Sequence, residues 1–170
     1  MEAGSIFWRT KETGMSAEGG SGGDVKIEDI MRPADAVRPD TLARDALKVM
    51  RKHNVPGVAV TDEDGTLRGF VTDGQLLDAA LPKYMKMMDR LSFVPENADK
   101  WVHYLTEAAD RPVGEVMSAE VSSIELGRSE LAVAHRMVHD GVSSVVITRD
   151  GKVEGIVNRL DLYAAIVGLE

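Results

Sequence analysis

The chain carries one pattern twice. Val55-Pro56-Gly57-Val58-Ala59-Val60 is an apolar run, Asp62-Glu63-Asp64-Gly65 a turn, and Leu67 to Val71 a second run that ends on a polar residue, Thr72. The same order recurs as Val142 to Ile147, Arg149-Asp150-Gly151, and Val153 to Val157 ending on Asn158. Upstream, Ile27-Glu28-Asp29-Ile30-Met31 is echoed by Val113-Gly114-Glu115-Val116-Met117, and Ala36-Val37-Arg38 by Ser123-Ile124-Glu125. A helix capped at Asp40 or Thr41 and running to about His53 has its counterpart from about Ser129 to His139. Met31 and Met117 are 86 positions apart, Val55 and Val142 87, and Gly69 and Gly155 86. An offset that holds over three landmarks, slipping only in loops, marks an internal duplication. Each copy reads as a β-α-β-β-α unit with its helices on one face of a sheet. The expected fold class is therefore α+β (α/β-like), two repeated units with a helical insert between them.

The boundaries follow from the repeat. Residues 1–24 are rich in Gly and Ser and read as a flexible tail, with Met15 an alternative start. Residues 25–81 are the first repeat, 82–110 the insert and 111–170 the second repeat. In the insert, Tyr84, Met85, Met87, Met88 and Leu91 form one apolar stripe. After a break at Pro95-Glu96-Asn97, Trp101, Val102, Tyr104, Leu105 and Ala108 form another. The insert is expected to be a helical hairpin packed on the module itself or on a second copy. A Met-rich surface for another protein is the alternative.

Charge and composition narrow the function. A net charge of −8 argues against a broad nucleic-acid surface, which needs clustered Lys and Arg. The absence of cysteine removes disulfides, thiolate metal sites and a cysteine nucleophile. No apolar run is long enough to span a bilayer and no leader pattern opens the chain, so the expected location is the cytoplasm. No nucleophile elbow, phosphate loop or His-Glu-x-x-His pair is present, and the expectation is a protein without catalytic activity.

Two strand-to-helix corners carry the chemistry. Gly155-Ile156-Val157-Asn158-Arg159-Leu160-Asp161 runs from a buried strand into a helix whose apolar stripe is Leu160, Tyr163, Ala164 and Val167. A helix start exposes backbone N–H groups that favour an anion. A carboxylate three residues in, Asp161, suits a pair of adjacent hydroxyls. The weaker copy is Gly69-Phe70-Val71-Thr72-Asp73-Gly74-Gln75. There Thr72 and Gln75 form a capping box, which explains both residues without a ligand. Asn158 is a good N-cap by itself, but Asp161 is too short to complete a box, so a ligand role is the better account of Asp161.

This arrangement resembles a tandem pair of cystathionine beta-synthase (CBS) domains. Each copy opens with an acidic-aliphatic-Met motif (Asp29-Ile30-Met31, Glu115-Val116-Met117) and closes with Gly-aliphatic-aliphatic-polar. The resemblance implies two units packed about a pseudo-twofold axis, with two clefts between them that hold adenosine-containing ligands: AMP, ADP or ATP, and in some members S-adenosylmethionine or dinucleotides. It also implies regulatory modules that commonly dimerise. The family motif ends Gly-h-h-Thr/Ser-x-x-Asp, its hydroxyl near phosphate and its Asp on ribose. The second copy matches at Gly155, Ile156, Val157 and Asp161 and departs at Asn158. The first matches at Gly69, Phe70, Val71 and Thr72 and departs at Gln75.

The expected ligand-binding residues are Asp161, Asn158 and Arg159, with Val142, Ser143, Ser144, Ser122 and Ser123 beside the strands, and Thr72, Gln75, Val55 and Pro56 at the other corner. Arg38 and Arg128 are further candidates for phosphate. His135 and His139 share a helix face at a spacing that suits a metal, but no third ligand accompanies them. The expected activity is sensing of an adenine nucleotide, read out by a homodimer rearrangement or an unidentified effector protein. The alternative is a dimerisation or docking module with empty clefts.

Overall fold

A computed structural model of the chain describes residues 25–82 and 98–169. The tail, the Tyr84-to-Leu91 stripe and the break before Ala98 lie outside those residues. The elements, in order, are α1 (Ile27–Ile30), β1 (Arg32–Pro33), α2 (Ala43–His53), β2 (Gly57–Thr61), β3 (Leu67–Thr72), α3 (Asp73–Ala80) and α4 (Ala98–Ala109). A 3-10 turn (Val113–Glu115), β4 (Ser123–Glu125), α5 (Glu130–Asp140), β5 (Ser144–Arg149), β6 (Lys152–Asn158) and α6 (Arg159–Val167) follow. The fold is mixed α+β.

Each unit is built on a hairpin, β2 with β3 and β5 with β6. In the second, Asp150 and Gly151 take φ of 52° and 75°, the two-residue turn whose twist matches the strands. The four-stranded sheet has the order β1-β6-β5-β4, with Arg32 opposite Ile156 and Ser123 parallel to Val146. Around the other hairpin, isolated bridges join Ser118 to Phe70 and Val37 to Val60. Every one of these pairs has its counterpart 86 residues away, so both sheets have the same plan. Ala36-Val37-Arg38, expected as a strand, contributes only the bridge at Val37.

The opening segments cross over. Ile27 is buried in the core of the second unit with Val133, Met137, Val145, Ile147, Val157 and Leu162, and Ile30 and Met31 pack beside it. Val113 is buried in the core of the first unit with Ala46, Met50, Val58, Val60 and Val71, flanked by Val116 and Met117. The glycines of the closing motif make room for this exchange. A Cβ on Gly155 would sit 2.9 Å from the Met31 sulfur, and one on Gly69 would sit 2.5 Å from the Met117 sulfur. The acidic-aliphatic-Met and Gly-aliphatic-aliphatic motifs are thus the two halves of one contact between repeats.

Three local expectations change. Helix α2 starts at Ala43 with Leu42 at the cap, not at Asp40 or Thr41. The Thr41 hydroxyl is taken by the Arg38 N–H (3.0 Å), and the Ala43 N–H donates to the Arg111 carbonyl (2.9 Å). In α6 the inward residue is Leu162, while Leu160, Tyr163 and Val167 are exposed. In α4, Val102 turns outward. Leu105, Ala108 and Ala109 face Leu47, Leu76, Leu77 and Ala80 of α2 and α3, so this part of the insert packs on the first repeat.

Candidate functional site

The β6-to-α6 corner opens onto a cavity of about 570 Å³. Asn54 and Pro56 reach it from the first repeat, and Ser143, Asn158, Arg159, Leu160, Asp161 and Tyr163 from the second. Arg32 enters on β1, the strand that has crossed between them. The cavity therefore exists only because the two repeats are packed together.

Asp161 projects from the first turn of α6 and is 24% exposed. Arg32 grips it with a two-pronged pair: Nε donates to Oδ2 at 2.7 Å and Nη2 to Oδ1 at 2.8 Å. Asn158 Nδ2 donates to Oδ2 at 3.0 Å. These bonds favour the charged carboxylate. The Arg32 hydrogen bond, aided by Asn158, holds its pKa below the usual carboxylate range although burial opposes the shift. The same pairing raises the Arg32 pKa. The third arm of Arg32, Nη1, donates to the carbonyl of His53 at the end of α2 (3.2 Å). One guanidinium thus joins β1, α2 and α6.

The structure corrects the expected role of Asn158. It occupies the N-cap position, yet its side chain makes no capping bond. The amide is buried and is consumed elsewhere: Oδ1 accepts from the Ser144 hydroxyl (3.1 Å) and Nδ2 serves Asp161. The Arg159 N–H donates to the Ser143 carbonyl at 2.8 Å. The next N–H groups, of Leu160 and Asp161, lie in the first turn, where a helix supplies no internal partner.

The β3-to-α3 corner faces a second cavity between the repeats, of about 340 Å³. Thr72, Gln75, Ser118, Glu120, Ser122, Val142, Ser143 and Ser144 line it. Here the capping box is complete. Thr72 Oγ1 accepts the Gln75 N–H at 3.1 Å, and Gln75 Oε1 accepts the Thr72 N–H at 2.8 Å. The Ser122 hydroxyl donates to Asp140 at 2.7 Å, and Glu120 is the charged group of the lining.

Four expected residues lie elsewhere. Val55 is buried in the first core, because the strand begins only at Gly57 and Val55 turns inward behind α2. Ser123 and Arg128 border an outer groove of about 840 Å³ between β4 and α5, away from both clefts. β4 is the outermost strand of its sheet, which is why its side chains reach that groove. Arg38 is on the surface, paired with Glu63 at 3.0 Å. His135 and His139 also line the outer groove, their rings stacked 5.9 Å apart. Among the described residues no group of three metal-ligating side chains forms.

Arg32 and Asn54 were not singled out by the sequence, and Leu160 and Tyr163 only as members of an apolar stripe. Asn54 carried a weak sign, standing just past the end of a helix, where it adopts a left-handed backbone (φ 52°). Arg32 carried none, since its partner is 129 residues away.

The CBS domain family model matches residues 27–82 and 113–168. The chain belongs to the CBS domain family and is a tandem CBS pair, a regulatory module. Among solved structures it is similar to the CBS domain of a CBS domain-containing membrane protein from Sphaerobacter thermophilus, at 26% identity over 84% of this chain and 88% of that one, with a TM-score of 0.64. It shares its fold with CBSX2, whose crystal structure is a complex with AMP (21% identity, 84% of this chain and 96% of that one, TM-score 0.60). It is also 24% identical to the uncharacterized protein MJ1426 of Methanocaldococcus jannaschii, over 83% of this chain and 90% of that one. Among the described residues no helix is long and apolar enough to cross a membrane.

Proposed function

We propose that the chain senses an adenine nucleotide of the AMP, ADP or ATP class in the cleft at Asp161. One observation carries this reading: a charged, partly exposed carboxylate stands at a helix start, inside a cavity that both repeats build, with two arginines beside it. Asp161 supplies the acceptor for a ribose diol, and the helix start with Arg159 supplies donors for phosphate. The structure of CBSX2 with AMP supports the ligand class. Binding acts on function by favouring one arrangement of the repeats, or of two chains in a homodimer, in proportion to its differential affinity. An effector protein reads the change.

A second reading has its own observation. Leu160, Tyr163, Ile166 and Val167 of α6 are exposed, an apolar face that fits docking of another chain. Thermal unfolding with AMP, ADP and ATP separates the readings. A ligand at about a hundred times its Kd stabilises by about 2.7 kcal/mol, a rise of roughly 5–11 °C for a chain of this size. The sensing reading requires such a rise in the native chain and its loss in Asp161→Asn. No rise with any of the three leaves docking as the function.

A further inference from the structure

The two clefts stand in equivalent places but differ in charge. Arg32 and Arg159 line the cleft at Asp161. The repeat-related positions are Ser118 and Asp73. Glu120 lines the other cleft, and no Lys, Arg or His does so among the described residues.

Arg32 is also the obstacle to any ligand at Asp161. Its two-pronged bond engages both carboxylate oxygens. A sugar diol entering the cleft must share or displace that bond. A neutral nucleoside offers the guanidinium only uncharged acceptors in return, and leaves a partly buried cation without its counter-charge. A ligand with a phosphate offers full exchange, because the guanidinium fork fits phosphate as well as carboxylate. Arg32 is 34% exposed and lines the cavity while paired, so it meets the incoming anion without unfolding of β1.

We infer that Arg32 sets the ligand class of this cleft. It exchanges Asp161 for the ligand's phosphate, so adenosine compounds with an anionic 5′ group are admitted, and neutral or cationic ones are disfavoured. Arg32 is a specificity residue, and the inference rests on the nucleotide reading above. The exchange also draws on the Arg32 bond to the His53 carbonyl, which links ligand charge to the C-terminal end of α2.

Calorimetric titration of the full chain with AMP, adenosine and S-adenosylmethionine tests this. The native chain should bind AMP about tenfold to a hundredfold tighter than adenosine, the worth of one charge-assisted contact. Arg32→Gln should bring the two within about threefold, and Arg32→Lys should restore part of the gap. An AMP-to-adenosine ratio unchanged in Arg32→Gln overturns the role of Arg32 and leaves the nucleotide reading standing. No binding of any of the three by the native chain overturns the nucleotide reading itself. Should Arg32→Gln not fold, the native chain still decides. Its preference for AMP must shrink as salt rises, and a salt-independent ratio contradicts the inference.

Discussion

Thr72 to Gln75 and Asn158 to Asp161 occupy equivalent places in the two repeats and satisfy their helix starts in different ways. In the first, two neighbouring side chains close on the backbone and on each other. In the second, the cap residue turns away, and the acid is held by a cation from another part of the chain. The first corner is finished locally, its two polar side chains engaged with the helix start and with each other. The second is finished by the Asn158 amide and, chiefly, by a long-range pair with Arg32, the bond on which the proposed exchange with a ligand rests. Duplication supplied two copies of one frame, and the contents of the helix start decide which copy has chemistry to spare.

Moving one corner into the other is the strongest way to break this comparison. The double change Asn158→Thr with Asp161→Gln writes the first corner into the second repeat. It should remove all nucleotide stabilisation, about 2.7 kcal/mol at a hundred times Kd, while the helix start keeps a full cap. Thermal unfolding with and without AMP reads it. Retention of the ligand effect would mean that the acid is not the determinant.

The glycines test the frame that both corners share. Gly155→Ala and Gly69→Ala each push a methyl group into the methionine of the other repeat, and should cost about 1–3 kcal/mol in urea denaturation. The Gly69 change should cost more, because its contact is the closer, 2.5 Å against 2.9 Å. Equal and negligible costs would show that the crossed segments pack loosely.

The smallest effect is on pH dependence, and it belongs to the second corner alone. The Asp161 pKa is lowered in the folded chain, chiefly by Arg32. Its contribution is therefore fully present above the ordinary aspartate pKa of about 3.9, and is lost as pH falls through the lower folded value. Native chain and Asp161→Asn should differ in stability at neutral pH and converge in strong acid. Gln75→Glu, in the other corner, does not meet an arginine and should lack this signature. A difference between native chain and Asp161→Asn that ignores pH would contradict the pairing.

The sequence disclosed what is local or repeated. Turn glycines, paired apolar runs and a constant offset marked both hairpins, and the Thr72–Gln75 box was legible because its partners lie three residues apart. The crossing of Ile27 and Val113 into opposite cores was not legible, since hydrophobic pattern shows that a residue is buried but not against what. Helix α6 misled for a related reason. Leu160, Leu162, Tyr163, Ile166 and Val167 leave it apolar on most sides, so periodicity does not choose a face. Arg32 was invisible because an ion pair between distant positions leaves no spacing to detect.

The most direct measurement is the stoichiometry of AMP binding to the native chain by calorimetry. One equivalent per chain, lost in Asp161→Asn and kept in Gln75→Ala, is the result the account predicts. Two equivalents per chain, or one that survives Asp161→Asn, would place the nucleotide elsewhere and contradict it.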